Sequence, residues 1–220
     1  MCGRFEQHLS KAHGWARAMR DWPRARASQF NVKPTQAAGT IDAQGFRERS
    51  WWLIPPWAKE AKIRYPTFNA RGGTLAQKPA FRHAWKRSQR CIVPASCYFE
   101  WTGASGSKQC HAIERGDGRS HLLAGLWETW NGGGQTVESF TIVTVSAAPE
   151  IDWLHPRMPQ TVQDEDEADV WLHASPDEAA ELLTPHAVDY VASPITNPDE
   201  RDPAQQDADG LNHANDNNGD

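Results

Sequence analysis

Apolar residues come in short runs, many of them alternating with polar residues, over five stretches of the chain. Runs of this length that are rich in β-branched and aromatic residues and bounded by Gly, Pro or Ser are typical of strands. The predicted strands are Phe46–Ile54, Cys91–Trp101, Gln109–Glu114, His121–Trp130 and Val137–Val145. The pattern therefore predicts a core made mostly of β-structure.

Three other stretches have helical spacing. The apolar positions of residues 6–22 recur every three or four residues, and Pro23 follows where a helix would stop. Short surface helices are predicted at Ala76–Arg87 and at Pro176–Leu183, the second with Ser175 as its N-cap. We therefore expect an α+β fold, with a single domain over residues 1–196 whose mostly antiparallel, barrel-like β core is flanked by short helices.

The last segment, residues 197–220, has a different composition. It holds seven acids and one base, Arg201, which gives it a formal charge of −6. Taking that −6 from the net charge of −5 leaves +1 on residues 1–196, so the charge of the whole chain does not argue against a polyanionic partner. Leu211 is the only large apolar residue of the segment, and we expect a disordered acidic tail.

The four cysteines include no C-x-x-C pair, and the sequence shows no signal peptide and no long apolar stretch. We expect free thiols, no membrane association and a cytoplasmic protein, nucleoid-associated if the source is bacterial. Gly132–Gly134 fits a hairpin turn rather than a phosphate-binding loop, and no histidines have metal-ligand spacing. No cofactor and no metal are expected.

Cys2 is the residue with the most distinctive chemistry, because it becomes the amino terminus once Met1 is removed. A terminal cysteine carries an amine of pKa about 7.7–8.0 and a thiol of pKa about 8.5, two carbons apart. The amine can condense with an aldehyde to a Schiff base, and the thiol can close on the same carbon to give a five-membered thiazolidine.

Four segments then match a known family in order and spacing. They are Cys2-Gly3-Arg4-Phe5, Phe68-Asn69-Ala70-Arg71, Arg90-Cys91-Ile92-Val93-Pro94 running into Phe99-Glu100-Trp101, and His155-Pro156-Arg157-Met158-Pro159. Over roughly residues 2–172 the chain resembles the SRAP (SOS response-associated peptidase) family. Its departures from the family pattern include Gly73, where the family usually has a glutamate.

This resemblance implies a function and a set of catalytic residues. The implied function is covalent capture of abasic sites in single-stranded DNA by a monomeric protein, a lyase-like crosslinking activity. Cys2 would be the nucleophile, and Asn69 would position the terminus and the sugar. Glu100 would transfer protons, and His155 would be the second acid or base.

The same resemblance implies a DNA-binding surface. Arginines contact phosphates, and aromatic or apolar rings stack on bases or wedge between them. The candidate DNA-contacting residues are Arg4, Arg71, Pro34, Trp51, Trp52 and Trp101. Three other tryptophans, Trp127, Trp153 and Trp171, are predicted to lie in the core instead.

Two other functions remain open from the sequence. Cys2 could be the nucleophile of an amino-terminal peptidase that acts on peptides in general or only on the chain's own Met1, since the same Cys, Glu and His suit that reaction. A non-catalytic module for single-stranded DNA is also possible. It ranks last, because it leaves the terminal cysteine and Glu100 unexplained.

Overall fold

The computed structural model describes residues 2–8, 15–185 and 188–201. Its strands are β1 Phe5–Gln7, β2 Gln29–Val32, β3 Ala37–Asp42, β4 Gly45–Trp51, β5 Asn69–Arg71, β6 Arg90–Ala95, β7 Cys97–Thr102, β8 Gln109–Arg115, β9 His121–Gly132, β10 Gln135–Ser146, β11 Arg157–Pro159, β12 Thr161–Val162 and β13 Tyr190–Ile195. Its helices are α1 Arg82–Lys86, α2 Glu165–His173 and α3 Pro176–Glu181, with 3-10 turns at Gly72–Thr74 and Pro198–Arg201. The α+β prediction is confirmed.

The strands form two sheets. Sheet A has the order β13-β8-β7-β1-β2 and is antiparallel throughout. Sheet B has the order β11-β10-β4-β3-β6-β9-β12, with β5 added to β10 and a long hairpin joining β9 to β10. The hairpin turns at Gly133 and Gly134, both with positive φ, as the glycine run predicted.

The expected barrel-like core needs correction. The pairing in sheet B runs part of the way round a ring, because β9 and β10 pair with each other as well as with β6 and β4. The β3–β6 and β4–β10 contacts each cover only two residue pairs. Pairing this short does not close a barrel, and the fold is instead two sheets packed on a shared core.

Two clusters of buried side chains hold the layers together. Between the sheets, Trp51 packs edge-on against Phe5 and stacks on Phe140, and its indole N–H donates to the carbonyl of Phe68 at 2.8 Å. On the other side of sheet B, Trp171 of α2 is fully buried and donates to the carbonyl of Cys91 at 2.9 Å. Each buried indole therefore supplies apolar area and has its polar atom satisfied.

The strand predicted over Cys91–Trp101 is two strands in different sheets. The break lies at Ser96, whose N–H donates to the carbonyl of Glu6 and whose hydroxyl donates to the carbonyl of His8. The chain therefore crosses from β6 of sheet B to β7 of sheet A without a loop. A continuous apolar run does not reveal such a crossing, because both strands are buried on both faces.

The helix predicted over residues 6–22 is wrong in its described part. Phe5–Gln7 form β1, which pairs with β2 and β7, and residues 16–21 form turns; residues 9–14 lie outside the described residues. Pairing within sheet A overrides the helical spacing here. The helix at Pro176 is confirmed, with a capping box between Ser175 and Glu178, whereas the one predicted at Ala76–Arg87 is limited to Arg82–Lys86.

The described chain continues to Arg201, past the predicted start of the tail at residue 197. The Arg201 guanidinium donates to the carboxylates of Glu6 at 2.7 Å and Glu114 at 2.9 Å. The Glu6 side chain is only 3% exposed, so its charge is held by this ion pair. Residues 202–220 lie outside the described residues. In the part of the chain that is described, no helix has the length and apolar character needed to span a bilayer.

We expect truncation after Arg201 to leave the free energy of unfolding unchanged, whereas truncation after Asn197 should lower it by about 1–3 kcal/mol, because the buried Glu6 carboxylate loses its partner. Urea denaturation of the two truncated chains measures the difference. Arg201→Ala in the full chain should reproduce most of the loss. Equal stability of the two truncated chains would contradict the role given to Arg201.

Candidate active site

Cys2 lies inside the protein, immediately before β1. It is fully buried in the core between the two sheets, and its thiol donates to the carbonyl of Arg4 with a sulfur–oxygen distance of 3.5 Å. Burial raises the pKa of this thiol well above its ordinary value, and the negative charge of Glu100 raises it further. The thiol is therefore protonated at neutral pH, and it needs a base in order to act as a nucleophile.

Asn69 connects the amino terminus to sheet B. It opens β5, where it pairs with Ile142 of β10, and its side-chain amide donates to the carbonyl of Cys2 at 2.7 Å. The side-chain oxygen of Asn69, Oδ1, is buried and has no hydrogen-bond partner among the described residues. Asn69 can therefore fix the position of Cys2 with one end of its amide and accept a hydrogen bond from a third group with the other.

Glu100 and His155 lie together, and the charge of Glu100 acts on Cys2. Glu100 is on β7 of sheet A, and His155 is in the loop before β11. Both line one small cavity, with Tyr98, Ile151, Leu154, Arg157 and Met158 as the other lining residues. The Nδ1 atom of His155 lies 3.0 Å from both the main-chain nitrogen and the carbonyl oxygen of Arg157, so the main chain of Arg157 orients the imidazole ring.

The charge of Glu100 influences several groups in this region. Besides that of Cys2, it raises the pKa of Cys110, to about 11 together with burial, and that of Tyr98. Because the carboxylate of Glu100 acts on Cys2, Tyr98 and Cys110, it lies near all three side chains. A buried carboxylate beside a protonated thiol and an imidazole is an arrangement suited to proton transfer.

Two arginines provide positive charge near the Asn69 side of the site. Arg71 is exposed at the end of β5, and Arg157 donates to the carbonyl and hydroxyl of Thr144. Arg71 is the direct partner of Thr144 in the ladder between β5 and β10, so both arginines lie beside Thr144. Burial lowers the pKa of Arg157, and the positive charge of Arg71 lowers it further. Two adjacent cations of this kind favour an anion such as a phosphate between them.

A wider cleft opens beside Asn69 and Arg71. Its volume is about 560 Å³, and its wall includes the exposed rings of Trp57 and Tyr65 and the side chain of Lys78. In the described ranges, no three His, Cys, Asp or Glu side chains are grouped so that they could hold a metal ion. The site is therefore built from an amino-terminal thiol, an amide, a carboxylate, an imidazole and arginines.

Comparison with other proteins identifies the family of the chain. The SOS response associated peptidase (SRAP) family model matches residues 1–198. The chain belongs to the SRAP family.

Three proteins illustrate the relationship of this SRAP chain to others. The Abasic site processing protein YoqW of Bacillus subtilis is 36% identical over 181 residues, covering 76% of this chain and 80% of YoqW. The Abasic site processing protein YoaM of the same organism is 34% identical over 197 residues, covering 84% and 86%. A crystal structure of a Bordetella bronchiseptica protein superposes with a TM-score of 0.76 at 25% identity, covering 89% of this chain and 100% of that one.

The residues predicted to contact DNA fall into separate places. Arg4 lies over the ring of Trp101 at 6.0 Å, on the face of β7 opposite to Glu100. Pro34 and Trp52 are half-buried, and Trp52 packs against Phe68. These side chains remain candidates for DNA contact.

Trp51 is different, because it is fully buried between the sheets. The structure gives it a packing role, which argues against the expected contact with a base.

The three tryptophans predicted to lie in the core differ in burial. Trp171 is buried, Trp127 is half-buried under Arg49, and Trp153 is 58% exposed. The core prediction is therefore wrong for Trp153.

Sequence reasoning gave no role to Arg157, although it is part of the His155 motif. Only the structure shows that it lines the Glu100 cavity and lies close to Arg71. The departure at Gly73 also becomes interpretable: a Cβ added there would meet nothing within 4 Å. A side chain at this position would face open space, so its absence leaves the packing around Asn69 unchanged.

We expect Glu100→Gln to lower the pKa of the Cys2 thiol, because the substitution removes a negative charge that disfavours the thiolate. Alkylation of Cys2 by iodoacetamide, followed by peptide mass spectrometry as a function of pH, should then begin at lower pH. Cys91 is the internal control, since burial raises its pKa to about 12 without a contribution from Glu100. If the profiles of Cys2 in the two proteins coincide, Glu100 does not control the thiol.

Proposed function

We propose that this protein captures abasic sites in single-stranded DNA covalently, through the amine and thiol of Cys2 after Met1 has been removed. The observation that carries the proposal is the hydrogen bond from Asn69 to the carbonyl of Cys2. It fixes the position of a residue that can be an amino terminus, and the charge of Glu100, which shares a small cavity with His155, acts on the thiol of that residue. A reactive aldehyde brought to Cys2 would meet the aminothiol next to a proton-transfer group.

The proposed reaction is a condensation. The ring-opened abasic sugar presents an aldehyde at C1′, and the Cys2 amine adds to it to form a carbinolamine. Loss of one water gives an imine, and the thiol sulfur then adds to the imine carbon while the thiol proton is transferred to the nitrogen. The product is a thiazolidine, and the only molecule released is water.

Each polar residue has a role that its position supports. Glu100 lies close enough to Cys2 to affect its pKa, so we assign it the transfer of the thiol proton. His155, across the cavity, is assigned protonation of the leaving hydroxyl through Nε2. The buried side-chain oxygen of Asn69 has no partner among the described residues. We propose that it accepts a hydrogen bond from the Cys2 amine or from the sugar.

Burial of Cys2 supports the choice of a single strand. A sugar must leave the base stack to reach Cys2, and this costs less for a strand that has no partner. Arg71 and Arg157 are placed to hold a flanking phosphate.

The cysteine, amide, carboxylate, imidazole and arginines of the proposed site come from one chain, so we propose that the protein acts as a monomer. We propose that it works in the compartment that holds the cell's DNA. The relatives YoqW and YoaM, both named abasic site processing proteins, support the substrate.

A peptidase activity limited to Met1 is the second candidate. The Cys2 thiol is adjacent in the chain to the carbonyl of Met1, so it can attack that carbonyl to form a thioester, which water then hydrolyses. The family description names a peptidase, which favours this reaction. It would prepare the free amine that the capture reaction needs.

The sharpest test separates the amine from the thiol. One residue that cannot be removed is added before Cys2, which turns the Cys2 nitrogen into an amide and leaves the thiol in place. We expect little or no stable adduct with abasic single-stranded DNA on denaturing gels, because an amide nitrogen cannot form a Schiff base. Cys2→Ser is the matched variant: it keeps the amine and should lose the hydrolysis-resistant product.

The same experiment needs an intact-mass measurement showing that the active protein lacks Met1. Normal crosslinking by the extended protein would mean that the thiol acts alone. If the unmodified protein does not crosslink and instead cleaves peptides, the peptidase candidate replaces the proposal.

Glu100→Gln and His155→Ala should each slow crosslinking by about 10²–10⁴-fold, the usual contribution of a positioned acid or base. Affinity for an intact single strand should change little, because neither side chain is assigned a phosphate contact. Single-turnover crosslinking and fluorescence anisotropy measure the two quantities. Crosslinking at the unmodified rate by both variants would remove these residues from the mechanism.

A further inference from the structure

Trp153 is the most exposed of the large apolar side chains that the structure describes, at 58%. Its indole N–H donates to the carbonyl of Glu150 at 3.1 Å, within its own loop. The polar atom of the ring is therefore satisfied, and the exposed remainder is an apolar aromatic surface. A large ring that is exposed, lies outside the core and already has its N–H bonded points to a binding role.

The loop that carries Trp153 is fixed on both sides of it. Ile151 and Leu154 are buried in the core between the sheets, and the N–H of Leu154 donates to the carbonyl of Ile151 at 3.0 Å. Both residues line the cavity of Glu100 and His155. Trp153 is thus held out from a short turn whose neighbouring residues form the wall of the proposed active site.

His111 links the indole to Glu100. In the ladder between β7 and β8 it is the direct partner of Glu100, so the two side chains lie on the same face of sheet A. The rings of His111 and Trp153 meet edge to face, with centroids 5.2 Å apart and planes at 88°. His111 is only 7% exposed, and its Nδ1 has no hydrogen-bond partner among the described residues.

These contacts form a continuous path from Glu100 through His111 to the ring of Trp153. We propose that Trp153, supported by His111, is a stacking platform for the nucleobase next to the abasic position. The proposal rests on the proposed function and deepens it, because it adds a contact to the neighbouring nucleotide. An abasic nucleotide has no base of its own, so the adjacent base loses a stacking partner that an indole can replace.

The charges around Trp153 favour a base over a phosphate. Glu150 and Asp152, both exposed on the same loop, repel a phosphate group. The positive charge lies instead at Arg71 and Arg157, the latter lining the same cavity. The strand would therefore keep its backbone on the arginines and turn one base onto the indole.

A double-mutant cycle between protein and DNA tests the platform. The DNAs are short single strands with one tetrahydrofuran spacer, which cannot open to an aldehyde, so that only non-covalent binding is measured. The nucleotide on the 5′ side or the 3′ side is either natural or a second spacer. Anisotropy gives Kd for the unmodified protein, Trp153→Ala, Trp153→Phe and the remote exposed control Val170→Ala.

The unmodified protein and Val170→Ala should bind about 5- to 150-fold more tightly when the base is present on one of the two sides. Trp153→Ala should lose that preference and bind both DNAs alike, whereas Trp153→Phe should keep part of it. His111→Ala should weaken the preference, and His111→Phe, which keeps a ring under the indole, should retain it. The salt dependence of binding should stay the same in all of these variants.

Equal effects of base removal in the unmodified protein and in Trp153→Ala would overturn the platform. So would a change in oligomeric mass of Trp153→Ala by light scattering, which would assign the ring to an interface between two copies. Crosslinking to natural abasic DNA is measured in parallel. Crosslinking without a base preference rejects the platform alone, and a base preference without crosslinking rejects the proposed capture chemistry alone.

Discussion

The candidate active site depends on one constraint: Cys2, at the start of the chain, must be held inside the protein. Chain ends ordinarily lie at the surface, because ordering them costs conformational entropy and few contacts offset it. Here Cys2 is fully buried, Phe5 packs against Trp51, and Asn69 fixes the carbonyl of Cys2. Both sheets contribute to this anchorage, since β1 is part of sheet A and Asn69 is part of sheet B.

Burial has an electrostatic consequence that shapes the chemistry. It keeps the thiol protonated, and the nearby carboxylate of Glu100 strengthens the effect. A thiol in this state resists unwanted oxidation and alkylation, and it becomes a nucleophile only where a base can take its proton. The positive charges of Arg71 and Arg157 lie on the Asn69 side of the site. In the proposed site, Glu100 thus controls the reactivity of the thiol, and the two arginines attract the anionic DNA strand.

The sequence predicted the parts of this molecule that are set by local pattern. Strands β4 and β6 to β10, the Gly133–Gly134 turn and the capped helix at Pro176 follow from spacing and turn chemistry, whereas the other strands of the described chain lie outside the predicted stretches. The crossing at Ser96 does not, because a run buried on both faces has the same appearance in one sheet or two. The site residues came from a resemblance, and the structure brings Cys2, Asn69, Glu100 and His155 into one region. Trp153 was misassigned because a tryptophan has the same apolar signature in a core and on a loop, and only the fold shows which face of the chain meets solvent.

The ion pair between Arg201 and Glu6 has a consequence for how such a protein can be extended. Glu6 is four residues from Cys2, so the last described residue lies beside the first strand. Under the proposed chemistry, a module fused before Cys2 would block the free amine, whereas one fused after Arg201 would leave the amine intact and would begin beside β1. The proposed use of the amine therefore allows this architecture to grow at its carboxyl-terminal side and not before Cys2.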